Sequence, residues 1–224
     1  MKPLLFLGSS LGIPLYVEAA ERQGITVAGI LDSDYYGNTE IFKGIPVVGT
    51  EQELDKYRDQ YDFFIATNSS PDPEHQRDIV KRQQLIDIVE QHSVKCVNLI
   101  DPETRIADSV QLGHGVFIGY KCYIEHGVEI GDFCQIFYDA GISHDVKIGK
   151  NTVIQRKCGI GNTTIGDNVY VGMWVNIFCS THVTIGDNAT INQGLWVVRN
   201  VESGEHVKLT REAIRVYKNL TIIE

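Results

Sequence analysis

The chain has no basic excess. Twenty lysines and arginines stand against 29 acidic residues in 224, a net charge of −9. Non-specific nucleic-acid binding works by neutralising phosphates, so that class is excluded. A disulfide framework is also missing. The five cysteines (Cys96, Cys122, Cys134, Cys158 and Cys179) are odd in number and form no C-x-x-C pair. That argues against a cysteine zinc site and fits a reducing compartment. No run approaches the roughly 18 apolar residues of a membrane span, so no membrane insertion is expected. The apolar start "PLLFLG" is too short for a signal peptide and runs into a Gly/Ser turn. These absences leave a cytoplasmic protein whose hydrophobic content, 43%, supports one large core or two modest ones.

What is present divides into two halves with different periods. Over residues 1–98, short apolar runs alternate with helical stretches. "PLLFLG", "TVAGILDSD", "IPVVG" and "YDFFIATNSS" read as strands. "IPLYVEAAERQG" reads as a helix ended by Gly24, "EQELDKYRDQ" as a short polar helix, and "PEHQRDIVKRQQLIDIVEQHS" as a longer one with Ile79, Ile86 and Val89 on one face. This alternation predicts a small Rossmann-like α/β domain with a parallel sheet covered on both sides. Its ligands bind beyond the carboxyl ends of the strands, which here carry Ser9, Ser10, Asp32, Asp34, Asn68 and Ser69.

From Ile100 the period becomes six. Ile100, Ile106, Leu112, Ile118, Ile124, Ile130, Ile136, Ile142, Ile148, Ile154 and Ile160 follow one another at that spacing, often with glycine next. Short strands separated by turns suit this repeat; a helix, with its period of 3.6, does not. Residues 99–207 are therefore expected to stack as an all-β parallel coil, with residues 208–224 a helical tail capped by Thr210. The register slips twice, from Ile160 to Ile165 and in the eight residues from Ile177 to Ile185. Such slips are either drift in a tolerant solenoid or bulges that contact a ligand. Beside the first, Lys147, Lys150, Arg156 and Lys157 are either a phosphate-binding cluster or a solvated face.

The segment 100–201 resembles the left-handed parallel β-helix of the hexapeptide-repeat acyltransferases. The order of the two halves resembles the bacterial sialic acid O-acetyltransferase and UDP-4-amino-sugar N-acetyltransferase family, over residues 3–207. The family's catalytic segment reads N-T-G-A-x-I/V-x-H-D/E-x-x-I-G, and "YDAGISHDVKIG" matches it at His144, Asp145, Ile148 and Gly149. Tyr138 and Asp139 replace the usual small polar pair. The resemblance implies an acetyl-CoA-dependent acetyltransferase with His144 as general base and Asp145 as its partner. It places coenzyme A at Gly161, Asn162, Gly172 and Lys157, with a backbone amide near Gly161 or Asn162 for the oxyanion. A nucleotide-linked amino sugar would occupy Gly8, Ser9, Ser10, Asp32, Asp34 and Asn68, and the assembly would be a homotrimer.

Acetyl transfer needs a base near working pH, which histidine supplies, and a carboxylate can fix its tautomer. His126, eighteen residues before His144, is its structural counterpart without the acid. His114 and His182 read as turn residues, with ligand contact open for His182; His75, His92 and His206 read as surface positions. Some left-handed β-helices hold zinc through histidines, a site needing a closely spaced pair. No H-x-x-x-x-H pair exists here, so no metal site is expected. Two other readings stay open: O-acetylation of a sialic-acid-like sugar, and a non-catalytic sugar-nucleotide-binding trimer.

Overall fold

The structure, a computed structural model, describes residues 2–10, 12–37, 44–67 and 76–208. Asn68, Ser69, His75, the Ile79 side chain and the tail helix beyond Lys208 lie outside the described residues.

The N-terminal half builds β1 (Leu4–Leu7), α1 (Ile13–Arg22), β2 (Val27–Leu31), β3 (Val47–Gly49), α2 (Leu54–Tyr57), β4 (Asp62–Ile65) and α3 (Gln76–Gln91). The strands are parallel in the order β3-β2-β1-β4. Alternate residues of β1 face opposite ways. Leu4 and Phe6 pack with Ile13, Tyr16 and Ala20 of α1, while Leu5 and Leu7 pack with Leu54 of α2 and Leu85, Ile86 and Val89 of α3. Gly24, at φ 72°, closes α1.

From Leu99 the chain winds as a parallel β-helix with about eighteen residues per turn, as the six-residue period predicted; the fold is left-handed. Each turn has three short strands, one per face. The first face stacks Leu99–Ile100, Phe117–Ile118, Gln135–Ile136, Val153–Ile154, Tyr170–Val171, Thr190–Ile191 and His206–Val207. The second begins at Arg105–Ile106 and the third at Gln111–Leu112. The second residue of each strand points inward, and Ile118 through Ile160 are all buried. At about 1.5–3 kcal/mol for each fully buried aliphatic, this column dominates the coil's stability.

A second inward column lies four residues after six of these: Cys122, Val128, Cys134, Ala140, Val146 and Cys158. The cysteines are thus small core residues. Burial pushes the thiol of Cys122 up to about 11 and those of Cys134 and Cys158 to about 12. The corners recur in left-handed backbone at Lys121, Gly127, Phe133, Asp139, Asp145, Asn151 and Lys157. Along one corner, Asp132, Asp167 and Asp187 accept the backbone N–H groups of His114, Lys150 and Asp167 from the coil before. Each carboxylate lies where a side chain on Gly113, Gly149 or Gly166 would be, which explains the recurring Ile-Gly-Asp.

The N-terminal half covers the outside of the first face. Leu99, Phe117, Phe137 and Val153 join Tyr16, Phe6 and Phe64 in one apolar cluster, with Tyr16 edge-on to Phe117 at 5.0 Å. Gln135 donates to the Tyr16 hydroxyl at 2.8 Å and to the Thr67 carbonyl at 3.1 Å. Arg82 of α3 is 1% exposed and donates to the Thr67 carbonyl, Asn151 Oδ1 and the Phe133 carbonyl. Among the described residues its partners are oxygens of carbonyl groups, and none is a carboxylate.

Candidate active site

His144 and Asp145 lie at the corner between the second and third faces, just after Gly141–Ile142. In an extended strand, neighbouring side chains point apart. Asp145 is left-handed (φ 59°), and at this corner the two side chains meet, with His144 Nδ1 3.0 Å from Asp145 Oδ2. The backbone beneath is held from the previous coil: the His144 N–H donates to Glu125 Oε2 at 2.9 Å and the Asp145 N–H to the His126 carbonyl at 3.1 Å. Both side chains are mostly exposed, at 62% and 74%. The His126 ring lies parallel to that of His144, with centroids 5.3 Å apart.

The two register slips meet at this corner. The strand Gly159–Ile165 runs around it with Asn162 at φ 49°, and Asn176–Ile185 runs over it. Gly161 pairs with Phe178 and Thr163 with Val183, so Cys179–His182 bulge outward above Asn162. His182 then bonds Thr164 Oγ1 at 3.0 Å and Asn162 Oδ1 at 3.3 Å, while Asn162 donates to the Cys179 carbonyl at 3.2 Å. The result is a cleft of about 260 Å³ lined by Ser143, His144, Asp145, Asn162, Thr163, Phe178 and His182. The Phe178 ring lies over Gly161, where any Cβ would come within 2.5 Å of it.

The structure divides the expected coenzyme A residues. Gly161 and Asn162 share the His144 corner. Lys157 and Gly172 lie at the corner between the first and second faces, where Lys157 is exposed and Gly172 packs beneath the Gln193 backbone. Tyr138 stacks there on Tyr120 at 4.8 Å and on the Arg156 guanidinium at 5.5 Å, and Asp139 sits at the same turn. The replaced pair therefore does not line the histidine cleft. The four bases also separate: Lys147 pairs with Glu129 at 2.8 Å, Lys150 pairs with Glu90, and Arg156 bonds the Tyr138 hydroxyl.

In the N-terminal half, Ser9 donates to Asp32 Oδ2 at 2.5 Å, and the Asp34 N–H to Asp32 Oδ1 at 2.9 Å. Lys81 of α3 pairs with Asp32 at 3.2 Å, with Asp34 at 3.4 Å and with Glu51. Desolvation alone would lower the Lys81 ammonium; the Glu51 hydrogen bond and the Asp32 and Glu51 charges outweigh it and hold it above its ordinary range. Asp32 is 1% exposed and has both oxygens engaged, so it holds Ser9, the Asp34 backbone and Lys81 in place. Gly8 is required by packing: a Cβ there would lie 2.6 Å from Leu85 Cδ1. Ser10 ties its loop to the Ala66 carbonyl at 3.0 Å. Lys81 and Glu51 carried no motif, since each is one charged residue on a polar helical stretch.

Among the described residues one group has metal-ligating chemistry. The donor atoms of His126, His144 and Asp145 all lie within 4.8 Å of one another. Short-spacing rules miss it because the coil's pitch, not the chain, brings the histidines together. No helix among the described residues is long and apolar enough to cross a membrane.

Residues 109–142 and 145–179 match the family described as the hexapeptide repeat of succinyl-transferase. The coil carries that repeat. Its coil is 34% identical over 106 residues to the bifunctional protein GlmU of Stenotrophomonas maltophilia, covering 46% of this chain and 22% of that relative. The chain thus spans about a fifth of the length of the curated relatives it matches. The whole hexapeptide-repeat architecture, N-terminal half included, is shared with solved acetyltransferases. The acetyltransferase domain of PglB from Neisseria gonorrhoeae, in complex with acetyl coenzyme A, superposes with a TM-score of 0.77 at 22% identity, over 92% of this chain and 95% of that one. PerB from Caulobacter crescentus, in complex with CoA and GDP-perosamine, superposes with a TM-score of 0.61 at 23% identity, over 91% and 92% of the two chains.

Proposed function

We propose that this protein is an acetyl-CoA-dependent N-acetyltransferase whose acceptor is an amino sugar carried on a nucleotide, with His144 as general base. The observation that carries the reading is the His144–Asp145 contact at the mouth of the cleft under Phe178 and His182. Solved proteins of this fold hold coenzyme A, and one holds a GDP-linked amino sugar.

The chemistry follows from the dyad. With Nδ1–H donated to Asp145, the Nε2 lone pair of His144 faces outward as the base. The acceptor amine attacks the thioester carbonyl as His144 takes its proton. The oxyanion is met by backbone N–H near Gly161 and Asn162. Collapse breaks the C–S bond, and the imidazolium returns the proton to the coenzyme A thiolate. An acceptor hydroxyl would use the same base. The non-catalytic reading loses support because Tyr138 and Asp139 stand away from the cleft.

The same reading extends to assembly. The N-terminal half covers the first face, whereas His144 stands at the opposite corner. In this reading a chain's acceptor crevice, at Ser9, Ser10 and Asp34, serves a neighbour's base, and a homotrimer closes that arrangement. Exposed Tyr123, Trp174, Phe178 and Trp196 beside the second face supply apolar surface for the contact. Free thiols in all five cysteines fit a cytoplasmic setting.

The test is acetyl-CoA turnover with nucleotide-linked amino sugars, read as thiol release. His144→Ala should lower kcat by about 10²–10⁴-fold while acetyl-CoA binding in calorimetry persists. Unchanged turnover would overturn the base assignment, and absence of acetyl-CoA binding would overturn the enzyme.

A further inference from the structure

We propose that His126, His144 and Asp145 form a binding site for a transition-metal dication of the zinc class. Occupancy would silence the base, a consequence that rests on the function proposed above; the binding itself does not.

The donors suit this chemistry: two imidazoles and one carboxylate, with ligand atoms no more than 4.8 Å apart. Three protein ligands with a fourth position left to water is the arrangement of open zinc sites. A tetrahedral zinc with bonds of about 2.1 Å sets its ligands roughly 3.4 Å apart, so capture draws the donors inward. All three side chains are exposed, and the stacked rings, 5.3 Å apart, need only turn out of parallel to bring a nitrogen of each toward an ion beside Asp145. The charge is favourable as well. Glu125, whose carboxylate accepts the His144 N–H, adds a second anion behind the ligands.

The backbone is already built for it. Asp145 is anchored to the His126 carbonyl, so two of the three ligand residues are joined through the coil itself. Dication and substrate then compete for one side chain. A metal on His144 replaces the proton shared with Asp145, and the imidazole can no longer accept the acceptor's proton while leaving Asp145 to stabilise it.

The experiment uses the full chain, washed with chelator, and titrates ZnCl₂ by calorimetry and CoCl₂ by visible absorption. One equivalent per chain and an intense tetrahedral cobalt band are expected. His126→Ala and Asp145→Asn should each weaken binding by more than the roughly 10–100-fold that losing an outer partner costs. Cys179→Ser, a control for the neighbouring thiol, should leave it unchanged. Zinc inhibition, expressed against each variant's own zinc-free rate, should be lost in His126→Ala. Absence of heat and colour, or equal binding by His126→Ala, overturns the site. Because binding is read without substrate, a chain that binds zinc yet transfers no acetyl group fails the enzyme reading alone.

Discussion

The carboxylate of Asp145 occupies the space that a side chain on Gly127 would need: a Cβ built on Gly127 falls 2.3 Å from Asp145 Oδ1. The acid of the dyad and the glycine one coil below are therefore a single feature. Gly127→Ala meets both that contact and a left-handed backbone at φ 72°. It should cost about 1–2 kcal/mol in denaturant unfolding and, by displacing Asp145, should reduce turnover as well. A variant of full stability and activity would show that the contact relaxes freely.

Asp145→Asn keeps the shape but removes the charge that holds the His144 tautomer. Turnover should fall by about 10²-fold with acetyl-CoA binding intact, measured by steady-state kinetics beside calorimetry.

Thiol reactivity should separate the cysteines. Cys96 and Cys134 are fully buried and, like Cys158, are pushed up to about 12, whereas Cys179 lies on the bulge with its thiol lowered by hydrogen bonds from Thr181. A disulfide reagent should titrate Cys179 alone in the native protein and all five thiols after denaturation. The buried thiols also bind protons more tightly folded than unfolded. Above the ordinary value of 9.0 the unfolded chain loses protons that the folded chain keeps, so stability should fall as pH rises from there toward about 12. Denaturant midpoints across that range check the sign.

Arg82→Met leaves the Phe133 carbonyl and Asn151 Oδ1 buried without their Arg82 donor, and the Thr67 carbonyl with Gln135 alone. A loss of about 3 kcal/mol or more is expected, and thermal unfolding should split as the two halves come apart.

If base and acceptor crevice belong to different chains, mixed assemblies should recover activity. His144→Ala and a crevice-blocking Ser9→Tyr chain, each inactive alone, should restore about a quarter of the sites when co-assembled at equal ratio. No recovery would place both elements within one chain.

The coil was legible because its interior tolerates one residue shape per strand, and a column of isoleucines at six leaves no other geometry. The second inward column hid in its variety: Cys122, Val128 and Ala140 share only smallness. The N-terminal half's grip on the first face was also written out, in Leu99, Phe117 one turn on and Val153 two turns beyond that, but those outward residues look like ordinary strand formers until their cover is seen. Arg82 and Lys81 could not be recognised, since a helix in sequence carries no mark of what lies across its buried face. His182 and the cleft depended on a bulge whose direction only the stacked register determines.

The pitch also makes the coil a dial with three settings. Removing six residues would turn everything downstream by a third of a revolution, carrying each corner onto the next and parting a ligand column that eighteen residues had aligned. Removing eighteen would lower the same column by one step and leave its bearing unchanged. Length changes in this protein are therefore rotations first and truncations second.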